Sequence, residues 1–259
     1  FRNRALQPRP SAHGLRRPVG ETQVKIAASL MALALLGAAD APRDYLLPAD
    51  MPDLVTILPP PAAPGSAQAV ADRRAFIKTR ALVGTGRWRL ATADVKADRF
   101  DIFAEAIGTR LSARSAPALA RVLERMSDGD MVGRAKRRFA SPRPYLGINQ
   151  PICEPKTAHL AGNGDYPSGH ASSGWATALV LAELMPSRAT AILRRGREFG
   201  ESRSVCGSHS RSAVETGYMA GTVLVARLHG SAEFRRDMDV ARAELADVRN
   251  SQTRPKPET

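Results

Sequence analysis

From residue 66 to residue 248 the chain is a succession of segments whose apolar residues recur three and four apart, with scarcely a stretch that alternates apolar and polar. That period belongs to helices rather than strands. Residues 66–81, 99–107, 169–184, 188–199, 212–228 and 231–248 each read as one helix, and residues 115–139 as a helical stretch broken at Asp128-Gly129-Asp130. The 169–184 segment is strongly apolar and rich in alanine; Pro186 stops it and Ser187 is placed to cap the next. Residues 141–165, rich in Pro, Gly and Asn, read as a long loop. No internal repeat is visible. The expectation is an all-α fold, a compact single-domain helical bundle over 66–249 followed by a polar tail at 250–259. With 43% hydrophobic and 24% charged residues, the chain has the means to bury a core and is not composed like a disordered one.

Two segments precede that bundle. Residues 42–65 hold Pro42, Pro48, Pro52, the run Pro59-Pro60-Pro61 and Pro64-Gly65, which predicts an extended, turn-rich arm. Residues 1–41 read as a leader: a polar, basic stretch, an apolar run at 26–39, then the small-x-small pattern Ala39-Asp40-Ala41. That order describes a secretory signal peptide. Its basic part is longer than usual, so residues 1–23 read as an over-extended start, with the true one near Val24. The mature protein is expected to begin near Pro42 and to work in the periplasm or outside the cell. No apolar run reaches the roughly 18–20 residues that span a bilayer, which excludes a multi-pass protein and integral membrane association after processing.

The formal charge of +13, mostly arginine, favours anionic partners. Aromatics at 5% argue against a stacking platform for single-stranded nucleic acid, and no nucleic-acid motif is present. Two cysteines are too few for a disulfide framework or a four-cysteine zinc site. Cys153 and Cys206 lie beside two of the motifs below and either pair, bracing that region, or stay as two buried thiols; the sequence leaves both open.

Three short motifs carry the chemistry. In Lys136-Arg-Arg-Phe-Ala-Ser-Pro-Arg143-Pro144, a lysine near a helix end is followed after six residues by Arg-Pro, and the prolines force the chain to extend. An ammonium and a guanidinium can then converge, the guanidinium gripping two oxygens of one phosphate. In Tyr166-Pro-Ser168-Gly169-His170, Ser168 stands where an N-cap belongs and Gly169 lets a ligand approach the helix amino terminus, a natural anion site with His170 on its first turn. In Ser202-Arg203-Ser-Val-Cys206-Gly-Ser-His209, a second guanidinium and a second imidazole lie six residues apart across a turn of small residues. Together they suggest a metal-free, cofactor-free phosphate site with a built-in nucleophile and acid.

These residues resemble the bacterial class A non-specific acid phosphatases, within the type 2 phosphatidic acid phosphatase superfamily, which is marked by K-x6-RP, PSGH and SR-x5-H-x3-D. The stretches Leu58-Pro-Pro-Pro61, Gly162-Asn-Gly-Asp-Tyr-Pro-Ser-Gly-His170 and Gly174-Trp-Ala-Thr-Ala-Leu-Val180 look like the secreted class in particular. The resemblance implies a compact, oligomeric all-α protein acting on small phosphorylated substrates. It implies that His209 attacks phosphorus and is phosphorylated, that His170 protonates the leaving group, and that Lys136, Arg143, Ser168, Gly169 and Arg203 hold the phosphoryl oxygens.

One position departs from the pattern. The family aspartate, four residues after the nucleophilic histidine, is Ala213 here. That carboxylate fixes the histidine's tautomer and balances its positive charge; in the serine-protease triad, neutralising the analogous aspartate slows turnover about ten-thousandfold. Glu215 is the nearest replacement in sequence, although it is not on the same helix face as position 209; Glu201, a backbone carbonyl or a water are the other possibilities. The reading is therefore a secreted, metal-independent phosphomonoesterase of broad specificity, with a phosphate-binding pseudoenzyme as the alternative.

Overall fold

The computed structural model describes residues 43–253, with side chains described as far as Asp247. The leader expected at 1–41 lies outside the described residues, as does the end of the polar tail. Eleven α-helices and no strand occur among the described residues: α1 Leu54–Ile57, α2 Ala67–Thr79, α3 Gly86–Asp94, α4 Arg99–Ile107, α5 Pro117–Arg125, α6 Met131–Phe139, α7 Ala158–Gly162, α8 Gly169–Leu184, α9 Ala189–Cys206, α10 Arg211–Leu228 and α11 Ala232–Thr253. The all-α expectation holds.

Helix α8 is the axis of the fold, flanked by α9 and α10. Its alanines and leucines are buried over most of its circumference, from Ala171 to Leu184, as an apolar helix requires. Close packing depends on residues without a Cβ. A methyl at Gly217 of α10 would stand 2.7 Å from the Ser168 carbonyl, and one at Gly221 2.5 Å from the Ser172 carbonyl. These two glycines, one turn apart, let the backbone of α10 lie against the first turns of α8. The amino termini of the two helices are thereby brought together, and the site is built there.

Several boundaries depart from the sequence expectation for identifiable reasons. The proline-rich arm contains a 3-10 turn at Pro48–Asp50 and the single-turn helix α1. It is also tied into the core: Tyr45, Leu46, Met51, Leu54 and Leu58 are buried. The tie is Arg125, whose guanidinium lies over the Tyr45 ring at 4.1 Å and bonds Asp237 (2.8 Å) and Glu233 (2.5 Å) of α11, while Nε donates to the Arg43 carbonyl (2.6 Å). Ser187 caps nothing: a 3-10 turn at Pro186–Arg188 leads into α9, and no side chain caps it. Helix α9 runs on to Cys206 because Gly200 is not a stop there; its bare Cα accommodates the Tyr218 ring, 2.4 Å from where a Cβ would sit. Helix α3 was not anticipated, and α7 interrupts the loop at 141–165.

Helix α9 ends at Gly207, in the left-handed region at φ 85°. Arg80 covers that end, donating to the carbonyls of Val205 (2.6 Å) and Cys206 (3.2 Å), a cation where the helix dipole is negative. Cys153 and Cys206 are joined as a disulfide, which ties the 141–157 loop to the same end. No described helix is long and apolar enough to cross a membrane.

Candidate active site

The link from α9 to α10 is short: Gly207, Ser208, His209 and Ser210. Ser210 caps α10, its hydroxyl accepting from Ala213 N–H (3.2 Å). His209 is therefore held between two helix ends and is 3% exposed. Arg203 lies on the last turn of α9, not in the turn itself, and both Ser208 and His209 N–H groups donate to its carbonyl.

The other two motifs converge on this link. Ser168 caps α8, accepting from Ala171 N–H, and its own N–H donates to the Ala213 carbonyl at 2.8 Å. Lys136, on the last turn of α6, donates to the Gly164 carbonyl at 2.6 Å. Arg143 donates to the carbonyls of Ser208 and Asn163, both at 2.8 Å, and its Nη1 lies 3.1 Å from His209 Nε2. Arg203 pairs with Glu154 at 2.5 Å, and Ser208 Oγ donates to the same carboxylate oxygen. Lys136, Arg143 and Arg203 are all buried. Arg143 Nε and Arg203 Nε and Nη1 are buried donors with no hydrogen-bond partner among the described residues. Unpaired buried donors are costly, so a group of this kind is built to be completed by an acceptor.

The electrostatics follow from crowding. Burial, helped by Arg143 and Arg203, lowers the Lys136 ammonium to about 7. Burial and then Arg203 lower His170 to about 4, against the pull of Glu154 and the Val95 carbonyl. Burial, followed by Arg143, Lys136 and Arg203, holds His209 well below its ordinary value, so its ring is neutral. Burial works to raise Glu154, but Arg203 and Ser208 keep its carboxyl below the usual carboxylate range. Burial raises the Asp165 carboxyl to about 6, against Ser210, Lys136 and Arg143. Even with both carboxyls ionised, two negative charges face Lys136, Arg143 and Arg203 around the two neutral imidazoles, an excess of positive charge that favours an anion.

Of the residues singled out in the sequence, the structure brings together His209, Lys136, Arg143, Ser168 and Arg203; Gly169 and His170 lie on the first turn of α8 at the same place. His170 is half-buried, its ring 6.4 Å from that of Phe199, and it borders a recess of about 180 Å³ walled also by Asp94, Phe103 and Thr177. Glu215 is not brought to His209. It is exposed on the outer face of α10, paired with Arg211 one turn away (3.3 Å), as the helical periodicity dictates. Glu201 likewise faces solvent, paired with Arg197 at 3.0 Å. Beside His209 stands Asp165, which the sequence reading did not single out. His209 Nδ1 is 2.7 Å from the Asp165 carbonyl and 3.0 Å from its Oδ1. A donor-bearing Nδ1 leaves the Nε2 lone pair facing Arg143 and the cations.

Comparison with known proteins gives the family. Residues 118–237 match the model of the PAP2 superfamily. An acid phosphatase of Zymomonas mobilis is 42% identical over 209 residues, covering 78% of this chain and 79% of that protein. Non-specific acid phosphatases of Providencia stuartii (34% over 212 residues, 79% and 86%) and Salmonella typhimurium (35% over 200 residues, 74% and 80%) are also similar. All-helical, with a buried cluster of cations and histidines at paired helix ends, the chain belongs to the acid phosphatases of the PAP2 superfamily.

Proposed function

We propose that the protein hydrolyses phosphate monoesters of small molecules, without a metal, through a phosphohistidine at His209. The observation that carries this reading is the set of three buried guanidinium N–H groups without partners, converging with Lys136 and the amino terminus of α8 around a neutral imidazole. A phosphoryl group supplies the oxygens that these donors lack. Arg143 then exchanges its bond with His209 Nε2 for one with a phosphoryl oxygen, which uncovers the lone pair. The charge of the bound phosphate dianion offsets the burial and the cations that keep His170 neutral in the free protein, so His170 takes up a proton with substrate bound. Nε2 of His209 attacks phosphorus and forms a P–N bond as the P–O ester bond breaks, and His170 gives that proton to the leaving oxygen. Water next attacks phosphorus with His170 as base, the P–N bond breaks, and phosphate leaves with His209 neutral again. The cations stabilise the equatorial oxygens in both transition states, where placed donors contribute most.

The test is hydrolysis of 4-nitrophenyl phosphate by the chain from Pro42, with EDTA present, beside His209→Ala. Chelator-resistant turnover lost in the variant, with phosphate trapped on the wild-type protein by alkaline quench, is the expected result. Loss of turnover with EDTA, or equal turnover in the variant, removes the mechanism. A folded wild-type protein that binds vanadate but does not turn over leaves the pseudoenzyme reading. The leader pattern, together with the Cys153–Cys206 pair, supports a periplasmic or secreted location, where thiols are oxidised. The family resemblance supports a homo-oligomer, which sedimentation of the purified chain tests.

A further inference from the structure

A buried carboxyl from outside the α9–α10 link lies against the His209 ring. Asp165 is 3% exposed and every oxygen of its side chain is engaged: Oδ1 accepts Ser210 N–H (3.0 Å) and faces His209 Nδ1 (3.0 Å), and Oδ2 accepts the Ser210 hydroxyl (2.5 Å). Its backbone N–H donates to the Ser141 carbonyl at 2.8 Å, so the side chain starts from a fixed point. The position four residues after His209, where the family pattern has an aspartate, is a fully buried alanine. Ala213 is one step from Asp165 in the same network: its N–H bonds the Ser210 hydroxyl that donates to Asp165. The two positions, distant in sequence, thus serve one small volume beneath His209.

We infer that Asp165 is the positioning residue for His209, standing in for the aspartate absent at 213, so that one six-residue segment, Asp165-Tyr-Pro-Ser-Gly-His170, running from the loop into the first turn of α8, carries both the orienting carboxylate and the general acid. The Asp165 carbonyl also meets Nδ1 and fixes the tautomer without help from the side chain. What only the carboxyl adds is negative charge: burial raises it to about 6 in the free protein, and a phosphoimidazolium 3.0 Å from Oδ1 draws it into the ionised form when that charge is needed. The effect of Asp165 must therefore fall on turnover rather than on binding. A carboxylate at 213 in addition to Asp165 would place two buried like charges in that volume and is unfavourable.

The inference rests on His209 being the nucleophile, and the experiment separates the two. Wild type, Asp165→Asn, Ala213→Asp and the double variant are compared for kcat, KM, vanadate-induced thermal shift and alkali-stable phosphoenzyme. Asp165→Asn is expected to lose at least 100-fold in kcat with KM and the vanadate shift preserved. Ala213→Asp alone is expected to gain nothing. The double variant is expected to recover at least tenfold over Asp165→Asn, as a transplanted carboxylate should. If Asp165→Asn keeps kcat within threefold, the carbonyl suffices and the inference falls. It falls too if Asp165→Asn loses the vanadate shift, or if the double variant is no better than Asp165→Asn, since Asp165 is then only structural. A wild-type protein that forms no phosphoenzyme overturns both the nucleophile and the inference.

Discussion

Lys136 is a lysine at a position where its charge is conditional. With its ammonium held at about 7 by burial and by Arg143, it is largely protonated in acid and progressively neutral above pH 7 in the free protein. The affinity for inorganic phosphate is expected to fall as pH rises through 7, beyond what the ionisation of phosphate itself accounts for. Lys136→Arg, which stays charged, should flatten that decline; calorimetric titration from pH 5 to 9 checks it. His170 is expected to behave differently, because protonating a leaving group matters only when the leaving group is basic. His170→Ala should slow an alkyl phosphate by at least 100-fold and 4-nitrophenyl phosphate far less, within the range general acids contribute; equal losses on both would place His170 in binding instead. At this scale most of the site was legible, because Lys136, Arg143, Ser168, His170, Arg203 and His209 stand at spacings that motifs record. Asp165 was not. Its role depends on loop 141–165 folding back over the link between α9 and α10, a long-range placement that no local spacing encodes.

Helices were legible where their own residues dictate them, and their joints were not. The apolar period marked α8, α10 and α11, since burial of one side or of the whole surface is written in the residues themselves. The docking of the arm and the far end of α9 are decided by tertiary contacts that no local pattern carries: Arg125 draws the arm onto α5 and α11, and Tyr218 fills the gap at Gly200 that would otherwise read as a break. The glycines of α10 are the sharpest case. Gly217 lies against Ser168 and Ala171 on the first turn of α8, whereas Gly221 lies one turn further, against Ser172. Backbone atoms cannot yield cheaply to a new methyl. Gly217→Ala and Gly221→Ala are each expected to cost about 1–3 kcal/mol of stability, as overpacked interiors do. Gly217→Ala should in addition weaken phosphate binding, because it displaces Ser168 and Gly169, while Gly221→Ala should leave binding nearer wild type. Urea unfolding paired with phosphate titration distinguishes them, and equal binding losses would mean that the whole of α8 shifts as one body.

For the molecule as a whole, the site is a region of unfavourable charge held in place by the rest of the fold. Its buried bases have values depressed on folding: His170 stands at about 4 and Lys136 at about 7. A base depressed in this way takes up protons more readily when unfolded, so Lys136 makes stability rise with pH from 7 to the ordinary lysine range, while the rise that His170 gives from 4 to the ordinary histidine range is opposed by Asp165, which burial raises to about 6. What resists the repulsion near Arg203 is Glu154, next in sequence to Cys153, whose N–H also bonds the Cys206 carbonyl at 3.2 Å. The disulfide thus acts twice. It closes a loop with a sequence separation of 53, which in the chain-entropy picture stabilises by about 4 kcal/mol. It also keeps Glu154 against Arg203 and Ser208. Cys153→Ser/Cys206→Ser is expected to lower Tm by about 8–16 °C, since each kcal/mol shifts a chain of this size by about 2–4 °C. Well below that Tm, the second effect should appear alone, as a KM several times higher with kcat less changed, because Arg203 then meets phosphate from a looser tether. Saturating phosphate should recover part of the lost Tm by binding only the folded form. A variant with lowered Tm but wild-type KM would show that Glu154 stays on Arg203 by itself, and that the disulfide braces the chain without bracing the site.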